Sequence, residues 1–522
     1  MTLRELIAGT GLDLSSLWRP GGDPLAALPD EELGVEVTDL AYRSDAVSPG
    51  ALFFCVPGFT SDGHDFAPDA VSRGTVALVS ERPLSLGVPE IVVESVRETM
   101  PLLAASFYGN PTSDLELVGI TGTNGKTTTC FLVREILEAA GRQTALLGTI
   151  HSVIGGEIEP VERTTPESID LQRAFRRMTD NGDAACVMEV SSHALELHRV
   201  DGCDFDCAVF TNLSQDHLDF HGTLESYFGA KRQLFVSHVS PPRIPVLNSD
   251  DPWGARLTQE LAEAGQPGVT FGLDRVADFR ADRVELMPSG SRFVCRSPDE
   301  AAEVRLPLPG LFNVYNALAA LATTSSLGID LTTAADAISG AGRVPGRFEP
   351  VDEGQNFTVL VDYAHTPDSL ASVLDTAREL LEQRGAGRLL CVFGAGGDRD
   401  REKRPLMGAA ARRLADHLIV TSDNPRSEDP EAIIAAIVGG ADKAAAELDE
   451  PPVLEVEPDR RAAITKAIRM ARSNDIVLIA GKGHEQGQEL AGGRKIPFDD
   501  RDVARDALQS MNKANAVSSN QS

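Results

Sequence analysis

A loop rich in glycine and threonine occupies residues 119–129, which read GITGTNGKTTT. Glycines let backbone amides approach a phosphate closely, and Lys126 can reach the β and γ oxygens of a nucleotide. The hydroxyl of Thr127 can bind Mg²⁺, and the start of a following helix adds positive potential. The usual phosphate-loop pattern begins five residues before Gly125, whereas the glycine here is Gly122, only three residues before it. We interpret the segment as a phosphate-binding loop that departs from the common pattern.

Two further polar segments follow predicted strands. The first reads EVSSHALELHR and begins at Glu189, and the second reads TNLSQDHLDFHG and contains His217. Ligands of a parallel sheet gather at the carboxyl ends of its strands, where a carboxylate can hold Mg²⁺. Taken alone, Glu189 fits an acid satisfied at a strand end, and His217 fits a structural histidine. Three such segments in this order favour the functional interpretation.

The elements that must position these residues alternate between strand and helix. Hydrophobic runs predict strands at Leu115–Ile120, Thr144–Ile150, Ala184–Val190 and Cys207–Leu213, with a helix over Thr127–Ala140. Strands that alternate with helices indicate parallel βαβ units. A stretch of alternating residues between about 279 and 308 predicts a small antiparallel excursion, and an Ala-rich helix is predicted at 314–327.

A second series of alternating elements follows a break in periodicity near residues 343–353. The predicted strands are 358–363, 389–393, 417–421 and 475–480, with helices at 368–383 and 405–415. This pattern is typical of a doubly wound α/β unit. A third unit occupies the first hundred residues, with strands near 52–56, 76–80 and 91–93.

These patterns predict an α/β protein of three domains with a short tail. We place the domains at residues 1–111, 112–345 and 346–509. The last residues, 510–522, are small and polar, which is typical of a disordered tail.

Composition limits the possible partners and compartment. The 522 residues carry a formal net charge of -30, which opposes binding to nucleic-acid phosphates. Seven scattered cysteines without a C-x-x-C motif indicate reduced thiols. The amino terminus lacks a signal-peptide pattern, and no apolar run reaches the roughly 18 residues that a membrane span needs. We expect a cytoplasmic protein, a monomer, that binds neither nucleic acid nor membrane.

The three segments, in this order, resemble the Mur ligase family of ATP-dependent amide-forming enzymes. The resemblance implies an N-terminal UDP-binding α/β domain, a central phosphate-loop ATPase domain with a mostly parallel sheet, and a C-terminal Rossmann-like domain. It implies ATP as co-substrate and Mg²⁺ as cofactor. The residues that it assigns to ATP are Gly122, Thr123, Asn124, Gly125, Lys126, Thr127, Thr128, Asn313, Asn316, Arg347 and Asp362.

The resemblance also assigns a catalytic group and a metal site. The catalytic residues are Lys126, Glu189, His217 and Lys231. Thr127, Glu189, His217 and Lys231 are assigned to the metal, with Lys231 as a carbamate (N6-carboxylysine). Nothing in the spacing alone reveals that modification, because the simplest interpretation of Lys231 is a solvated surface lysine.

Within the family, the resemblance is to members that add diaminopimelate to UDP-N-acetylmuramoyl-L-alanyl-D-glutamate in peptidoglycan synthesis. It assigns the UDP-linked dipeptide to Ser44, Thr164, Thr165, Ser191 and Arg199. Leu197 stands where many relatives carry Gln, which puts one polar contact to this substrate in doubt. It assigns diaminopimelate to Arg399, Asp423, Asn424, Pro425, Arg426, Gly481 and Glu485.

Three alternatives remain open. The first is the same ligation with L-lysine, because lysine-adding members of the family usually vary at the position of Arg426 but some retain it. Asp-Asn-Pro, at 423–425, is also a strong turn signal, so the segment by itself can be only a turn. Folylpolyglutamate synthetases share the superfamily, but they usually begin directly with the ATPase domain. A nucleotide switch is disfavoured because the sequence holds no N/T-K-x-D guanine-recognition segment.

Overall fold

The computed structural model describes residues 1–10, 33–236, 241–273 and 276–519. The chain divides into two compact units that interleave along its central part. The first unit comprises Met1–Thr121, Gly141–Val209 and Ala230–Pro245. The second comprises Gly122–Ala140, Phe210–Gly229 and Val246–Ser522. The predicted domain limits at 111 and 345 remain predictions.

The strands alternate with helices along the described residues. The strands are β1 (Asp39–Ala41), β2 (Ala51–Phe54), β3 (Ala77–Ser80), β4 (Glu90–Val92), β5 (Glu116–Thr121), β6 (Thr144–Leu147), β7 (Ser152–Ile154), β8 (Glu157–Glu159), β9 (Ala185–Glu189), β10 (Cys207–Phe210), β11 (Ile244–Asn248), β12 (Val269–Gly272), β13 (Phe279–Met287), β14 (Gly290–Arg296), β15 (Ala301–Leu306), β16 (Glu349–Pro350), β17 (Thr358–Asp362), β18 (Leu389–Phe393), β19 (His417–Val420), β20 (Val453–Val456), β21 (Ile476–Ala480), β22 (Gly487–Glu489) and β23 (Lys495–Pro497).

The helices are α1 (Leu3–Ala8), α2 (Ala67–Ser72), α3 (Val96–Phe107), α4 (Lys126–Ala139), α5 (Ser168–Asp180), α6 (Ser192–Glu196), α7 (Leu218–His221), α8 (Leu224–Val236), α9 (Pro252–Glu263), α10 (Leu311–Ser326), α11 (Leu331–Ser339), α12 (Pro367–Arg384), α13 (Lys403–Leu414), α14 (Pro430–Ala445), α15 (Arg460–Met470) and α16 (Asp500–Ser519). Among the described residues, no helix has the length and apolar character needed to cross a membrane.

The first unit contains a small parallel sheet and part of a larger one. The small sheet has the order β1-β2-β3-β4, and its central strands β2 and β3 are buried throughout. In the larger sheet the order is β10-β5-β9-β6-β7-β8, in which β5 and β6 run parallel to β9. Continuous apolar runs such as β5 suit strands covered on both faces, which is why their sequence does not alternate.

The second unit contains a six-stranded sheet of order β16-β17-β21-β18-β19-β20. All of its pairings are parallel except that of the short edge strand β16. One hydrophobic core lies around α12, α13 and α14, and a second around α15 and α16. The carboxyl ends of β17, β21, β18 and β19 therefore share one edge, which confirms the predicted doubly wound arrangement.

The antiparallel excursion is confirmed as well. β13 pairs antiparallel with β14, and β14 pairs antiparallel with β15. β15 alternates exposed and buried residues along its length. This alternation is the signature of a sheet with one face toward water.

Two predicted strands end three residues earlier than expected. β10 ends at Phe210 rather than at Leu213, and the Thr211 hydroxyl that follows it donates to the carbonyl of Asn124. β6 ends at Leu147 rather than at Ile150. The prediction for both strands was wrong only at these ends.

The predicted limit between the third domain and the tail, at residue 509, falls within a helix. α16 runs from Asp500 to Ser519. Its apolar residues Val503, Ala504, Ala507 and Leu508 recur at helical spacing and join a hydrophobic core. These four residues anchor the first part of α16 in the core, and the helix continues beyond them into the polar residues. The predicted tail at 520–522 lies outside the described residues.

Candidate functional site

The phosphate loop joins β5 to α4 and is shaped by two glycines with positive φ. Gly122 has φ 147° and Gly125 has φ 89°. A side chain at Gly122 would collide with the hydroxyl of Thr211, and one at Gly125 with the amide of Asn316. Both positions therefore exclude a Cβ for conformational and steric reasons.

Lys126 and two backbone amides of the loop already make hydrogen bonds within the protein. Lys126 Nζ donates to the carbonyls of Gly122 and Thr123 at 2.9 and 3.0 Å. The amides of Thr123 and Asn124 donate to Asn212, to its backbone and side-chain oxygens respectively. The sequence predicted loop amides around a phosphate, but these two serve to fasten the loop to the end of β10. Lys126 and the amides at the start of α4 are the groups that could receive a phosphate here.

A pair of buried asparagines on α10 lies behind the loop. Asn316 donates to Asn313 Oδ1 at 3.2 Å, and Asn313 donates to the carbonyl of Pro309 at 2.8 Å. Thr129 donates to Asn316 Oδ1 at 3.5 Å. Thr128, also predicted for ATP, is buried on α4. The two asparagines thus position the loop from behind through side-chain contacts.

Arg347 brings the next segment of the chain to the phosphate loop. Its NH2 donates to Thr127 Oγ1 at 2.9 Å, and its guanidinium lies 4.6 Å from the centre of the Tyr363 ring. Its buried Nε has no hydrogen-bond partner among the described residues. Asp362 accepts from the amides of Phe348 and Ala364, and burial raises the pKa of its carboxyl. An unsatisfied buried donor beside the loop fits an anionic ligand such as a nucleotide.

A buried charge cluster surrounds His217. Asp216 lies 3.4 Å from His217 Nε2, 3.5 Å from His365 Nε2 and 3.1 Å from Lys403 Nζ. Burial raises the pKa of the Asp216 carboxyl. The hydrogen bond with His365 and the charges of Lys403 and His217 lower this pKa by more, so that it lies well below its usual value. The sequence analysis singled out His217, and Asp216 joins it to His365 and Lys403. Lys403 lies 187 residues from Asp216, so only the tertiary structure could have identified it.

In the first unit, Glu189 is held by a residue that the sequence analysis missed. Glu189 Oε1 accepts from the amide of Thr149 at 2.8 Å, and Oε2 accepts from the Thr149 hydroxyl at 3.1 Å. The same hydroxyl lies 3.1 Å from that of Thr164. Thr149 therefore joins Glu189 to the predicted dipeptide segment.

The remaining predicted dipeptide residues gather beside Glu189. Thr165 donates to the Glu189 carbonyl at 2.9 Å and accepts from the amide of Ser191 at 3.1 Å. Arg199 donates to the Thr165 carbonyl at 3.1 Å and pairs with Glu167 at 2.9 Å. Burial, more than any other influence, lowers the pKa of Arg199, and its buried Nε has no hydrogen-bond partner among the described residues. The cluster can receive a carboxylate.

Two further predicted residues belong to the first unit. Ser44 starts a short 3-10 turn after β1, next to the Arg43–Asp45 ion pair. Lys231 lies in α8 and is only 1% exposed. A lysine so buried is unusual, and the solvated surface lysine that the sequence suggested is wrong.

The residues predicted for diaminopimelate lie at the carboxyl edge of the six-stranded sheet. Asn424 Nδ2 donates to Glu485 Oε2 at 2.9 Å, and Lys482 Nζ donates to the same oxygen at 2.7 Å. Arg426 Nε donates to Glu489 Oε2 at 2.9 Å. Lys482 and Glu489 were not predicted. The first adjoins the predicted Gly481, but nothing in the sequence marks the second.

Asp423 supports this edge from inside the unit. Its carboxylate is 4.0 Å from Arg460 NH1. Burial raises the pKa of Asp423, but the charges of Lys482 and Arg460 outweigh it, and the net shift is downward. Gly481, with φ 118°, leaves room for this carboxylate, since a Cβ there would lie 2.6 Å from Asp423 Oδ2. The charged carboxylate is thereby stabilised under the loop.

The loop after β18 completes the edge. Gly397 donates its amide to the carbonyl of Asn424 at 2.9 Å, and its own carbonyl accepts from Arg426 NH1 at 2.8 Å. A side chain at Gly397 would collide with the carbonyl of Pro425. Arg399 donates to the carbonyl of Asp398 at 2.8 Å, within the same loop. The structure therefore brings the two predicted loops into contact, with both arginines beside them.

The predicted metal ligands are distributed between the units. Glu189 and Lys231 belong to the first unit, and Thr127 and His217 to the second. Among the described residues, no group of three or more His, Cys, Asp or Glu has the arrangement of a metal site. The oxygens of Glu189 and Thr127 are nevertheless of the ligand type that Mg²⁺ prefers.

Comparison with known families covers most of the chain. Residues 36–108 match the Mur ligase family catalytic domain, residues 120–324 the Mur ligase middle domain, and residues 346–483 the Mur ligase glutamate ligase domain. The chain is 48% identical over 479 residues to a UDP-N-acetylmuramoyl-L-alanyl-D-glutamate–2,6-diaminopimelate ligase of Geobacillus thermodenitrificans. The match covers 91% of this chain and 95% of that protein. A Bacillus cereus ligase of the same name is 46% identical over 479 residues, which are 91% of this chain and 94% of that protein.

Solved structures give a consistent result. A ligase with the same name superposes with a TM-score of 0.63 at 35% identity, over 91% of this chain and 95% of that chain. A Mycobacterium tuberculosis folylpolyglutamate synthase superposes with a TM-score of 0.60 at 20% identity, over 74% of this chain and 92% of that one. The second likeness concerns the fold alone.

Proposed function

This chain belongs to the Mur ligase family, and we propose that it joins diaminopimelate to the D-glutamate of UDP-N-acetylmuramoyl-L-alanyl-D-glutamate in peptidoglycan synthesis. The observation that carries the proposal is the amino-acid edge formed by Asn424, Arg426 and Glu485, which offers both a guanidinium and a carboxylate. The ligases that are 44–48% identical to the chain carry diaminopimelate in their names, which supports this substrate.

The reaction has two chemical steps. First, the γ-carboxylate of D-glutamate attacks the γ-phosphorus of ATP. The bond between this phosphorus and the β,γ-bridging oxygen breaks, so that an acyl phosphate forms and ADP leaves. Lys126 and the amides at the start of α4 stabilise the charge on the transferring phosphoryl group. Arg347 adds a second cation to the same loop. Its NH2 donates to Thr127, and its buried Nε has no hydrogen-bond partner among the described residues.

In the second step the amine attacks the acyl carbon. The C–N bond forms, the C–O bond to phosphate breaks, and the nitrogen loses a proton. Neither step needs a Ser, Cys or His nucleophile. Exclusion of water protects the acyl phosphate from hydrolysis.

Diaminopimelate differs from lysine by a second amino-acid centre, which bears a carboxylate and an ammonium. Arg426 offers the carboxylate a planar, two-donor fork that a lysine side chain would not reproduce. Glu485 and Asn424 offer acceptors to the ammonium, and Arg399 adds positive charge near the same loops. This arrangement favours diaminopimelate over L-lysine.

For the UDP-linked dipeptide we propose Thr164, Thr165, Ser191 and Arg199, with Ser44 near the uridine. Arg199 combines a buried, unsatisfied Nε with a position beside Glu189, which suits a carboxylate of the dipeptide. Leu197 presents no polar group at the position where relatives carry Gln.

We propose Mg²⁺ as the cofactor, which when bound neutralises phosphate charge. The ligands that we propose are Thr127, Glu189, His217 and Lys231, the last as its carbamate. We further propose the cytoplasm as the compartment, supported by seven free, buried cysteines, and three domains near the predicted limits.

The test is ADP release by the purified enzyme with ATP, the UDP-linked dipeptide and a panel of amines. We expect release to depend on both the dipeptide and diaminopimelate, with L-lysine at least about tenfold poorer in kcat/KM, the ratio for one strong polar contact. Equal or better use of L-lysine would overturn the amine assignment. Activity with a folate and glutamate instead would overturn the whole proposal.

A further inference from the structure

Arg426 uses only part of its hydrogen-bonding capacity within the protein. Its Nε donates to Glu489 Oε2 at 2.9 Å, and its NH1 donates to the carbonyl of Gly397 at 2.8 Å. Among the described residues the guanidinium has no other hydrogen-bond partner. A guanidinium carries five N–H donors, so both donors of NH2 and one of NH1 remain. One donor on NH1 and one on NH2 can together bind a carboxylate with two parallel hydrogen bonds.

Glu489 is the residue that sets this orientation. It ends β22 and contacts the amino-acid loop through its backbone as well. Its amide donates to Asn424 Oδ1 at 2.9 Å, and its carbonyl accepts from the amide of Arg426 at 3.1 Å. The neighbouring Gln488 donates to the carbonyl of Asp423 at 2.6 Å. The backbone contacts do not depend on the Glu489 side chain, which therefore acts mainly on the guanidinium.

Glu489 is the acidic partner of Arg426, because the neighbouring carboxylates of Glu485 and Asp423 face other cations. Glu485 accepts from Lys482, and Asp423 faces Lys482 and Arg460. Among the described residues, Glu489 is the acidic side chain in ion-pair contact with Arg426. The side chains of Arg426 and Glu489 are 20% and 32% exposed, so a ligand can reach both.

We propose that Glu489 is a further specificity-determining residue, because it holds the guanidinium of Arg426 with its free edge toward the distal carboxylate of diaminopimelate. The inference rests on the proposed function. Without the Glu489 carboxylate, the guanidinium can rotate about its side-chain bonds, and binding must restrict that motion. Glu489 is a positioning residue for this contact.

The negative charge of Glu489 also acts directly on the ligand, with two opposing effects. It repels the distal carboxylate of diaminopimelate but attracts the ammonium on the same carbon. Because the distal centre is a zwitterion, the two effects largely offset each other. Orientation of Arg426 then decides the result.

The test combines two variants with two amines. We expect Glu489→Ala to raise the KM for diaminopimelate about tenfold, the lower end for a hydrogen bond to a charged group, since Glu489 acts through Arg426. The kcat and the KM for ATP should stay within about twofold. Glu489→Gln retains an acceptor for Nε and should recover most of the loss. The kcat/KM for L-lysine, measured at high enzyme concentration, should not change, because L-lysine has no distal carboxylate.

The matched control is Glu447→Ala, which removes an exposed ion pair with Arg413 at 2.8 Å in the same unit and should leave both amines unaffected. An equal loss with both amines would show a structural role and overturn the inference. An unchanged or lower KM for diaminopimelate in Glu489→Ala would overturn it as well. A wild-type enzyme that does not use diaminopimelate would overturn the proposed function, before any variant is compared.

Discussion

Lys126 is the residue on which, in our proposal, phosphoryl transfer depends most directly. It starts α4, and its Nζ donates to the carbonyls of Gly122 and Thr123. We expect Lys126→Ala to lower kcat at least about 100-fold, as loss of one preorganised charge-stabilising donor does. Circular dichroism should show an intact fold. Turnover near that of the wild type in the folded variant would contradict the phosphate assignment.

Lys231 offers a test of the proposed carbamate. A buried position generally favours the neutral amine, which is the form that reacts with CO₂. We expect Lys231→Ala to lose about 100-fold or more in kcat, as loss of one charge-stabilising group does, and to regain part of it with added acetate or another short carboxylate.

The control for that rescue is Lys126→Ala, in which added acetate should restore nothing, because no carboxylate is missing there. An experimental density map offers an independent check. A free amine on Lys231, together with a fully active Lys231→Ala variant, would refute the carbamate.

At the level of elements, one buried ion pair joins α15 to α16 beneath the amino-acid edge. Arg460 donates to both oxygens of Asp500 at 2.8 and 2.7 Å and to the carbonyl of Ala480 at 2.9 Å, and both side chains are fully buried. We expect Arg460→Met to lower the free energy of unfolding in urea by about 3–5 kcal/mol, because it strands the Asp500 charge. The double variant Arg460→Met, Asp500→Leu should lose far less.

The adjacent Arg461 provides the control for this pair. Its side chain is 56% exposed and lies 3.5 Å from Asp506. Arg461→Ala should change the free energy of unfolding by less than about 1 kcal/mol, as exposed pairs do. A similar, small loss in Arg460→Met would mean that the buried pair does not stabilise α15 and α16.

For the whole molecule, the cysteines report on the integrity of both units. All seven are free and buried. Burial raises the pKa of the Cys391 and Cys295 thiols to about 12. Since the thiolate is the reactive form, we expect fewer than one thiol per chain to react with Ellman's reagent within minutes at pH 8, and all seven to react in guanidinium. Rapid reaction of a thiol in the folded protein would contradict this burial.

The elements around the phosphate loop were predictable from sequence because they are encoded locally. An apolar run, two glycines and a helical repeat decide the conformation of β5, the loop and α4 within 25 residues of chain. The same holds for the alternating strands and helices of the second unit. Errors fell at element ends, as in β6 and β10, which end before their predicted limits.

The pairing of side chains from distant segments was decided only by the tertiary structure. Thr149 and Glu189 are 40 residues apart, Arg426 and Glu489 are 63 apart, and Asp216 and Lys403 are 187 apart. Hydrophobic periodicity indicates strand ends to within about three residues, which was enough for the sequence to place the candidate residues at the sheet edges. It does not specify which loops meet there, since that follows from strand order and packing. The sequence therefore determined the chemistry available, and the fold determined the partners that orient it.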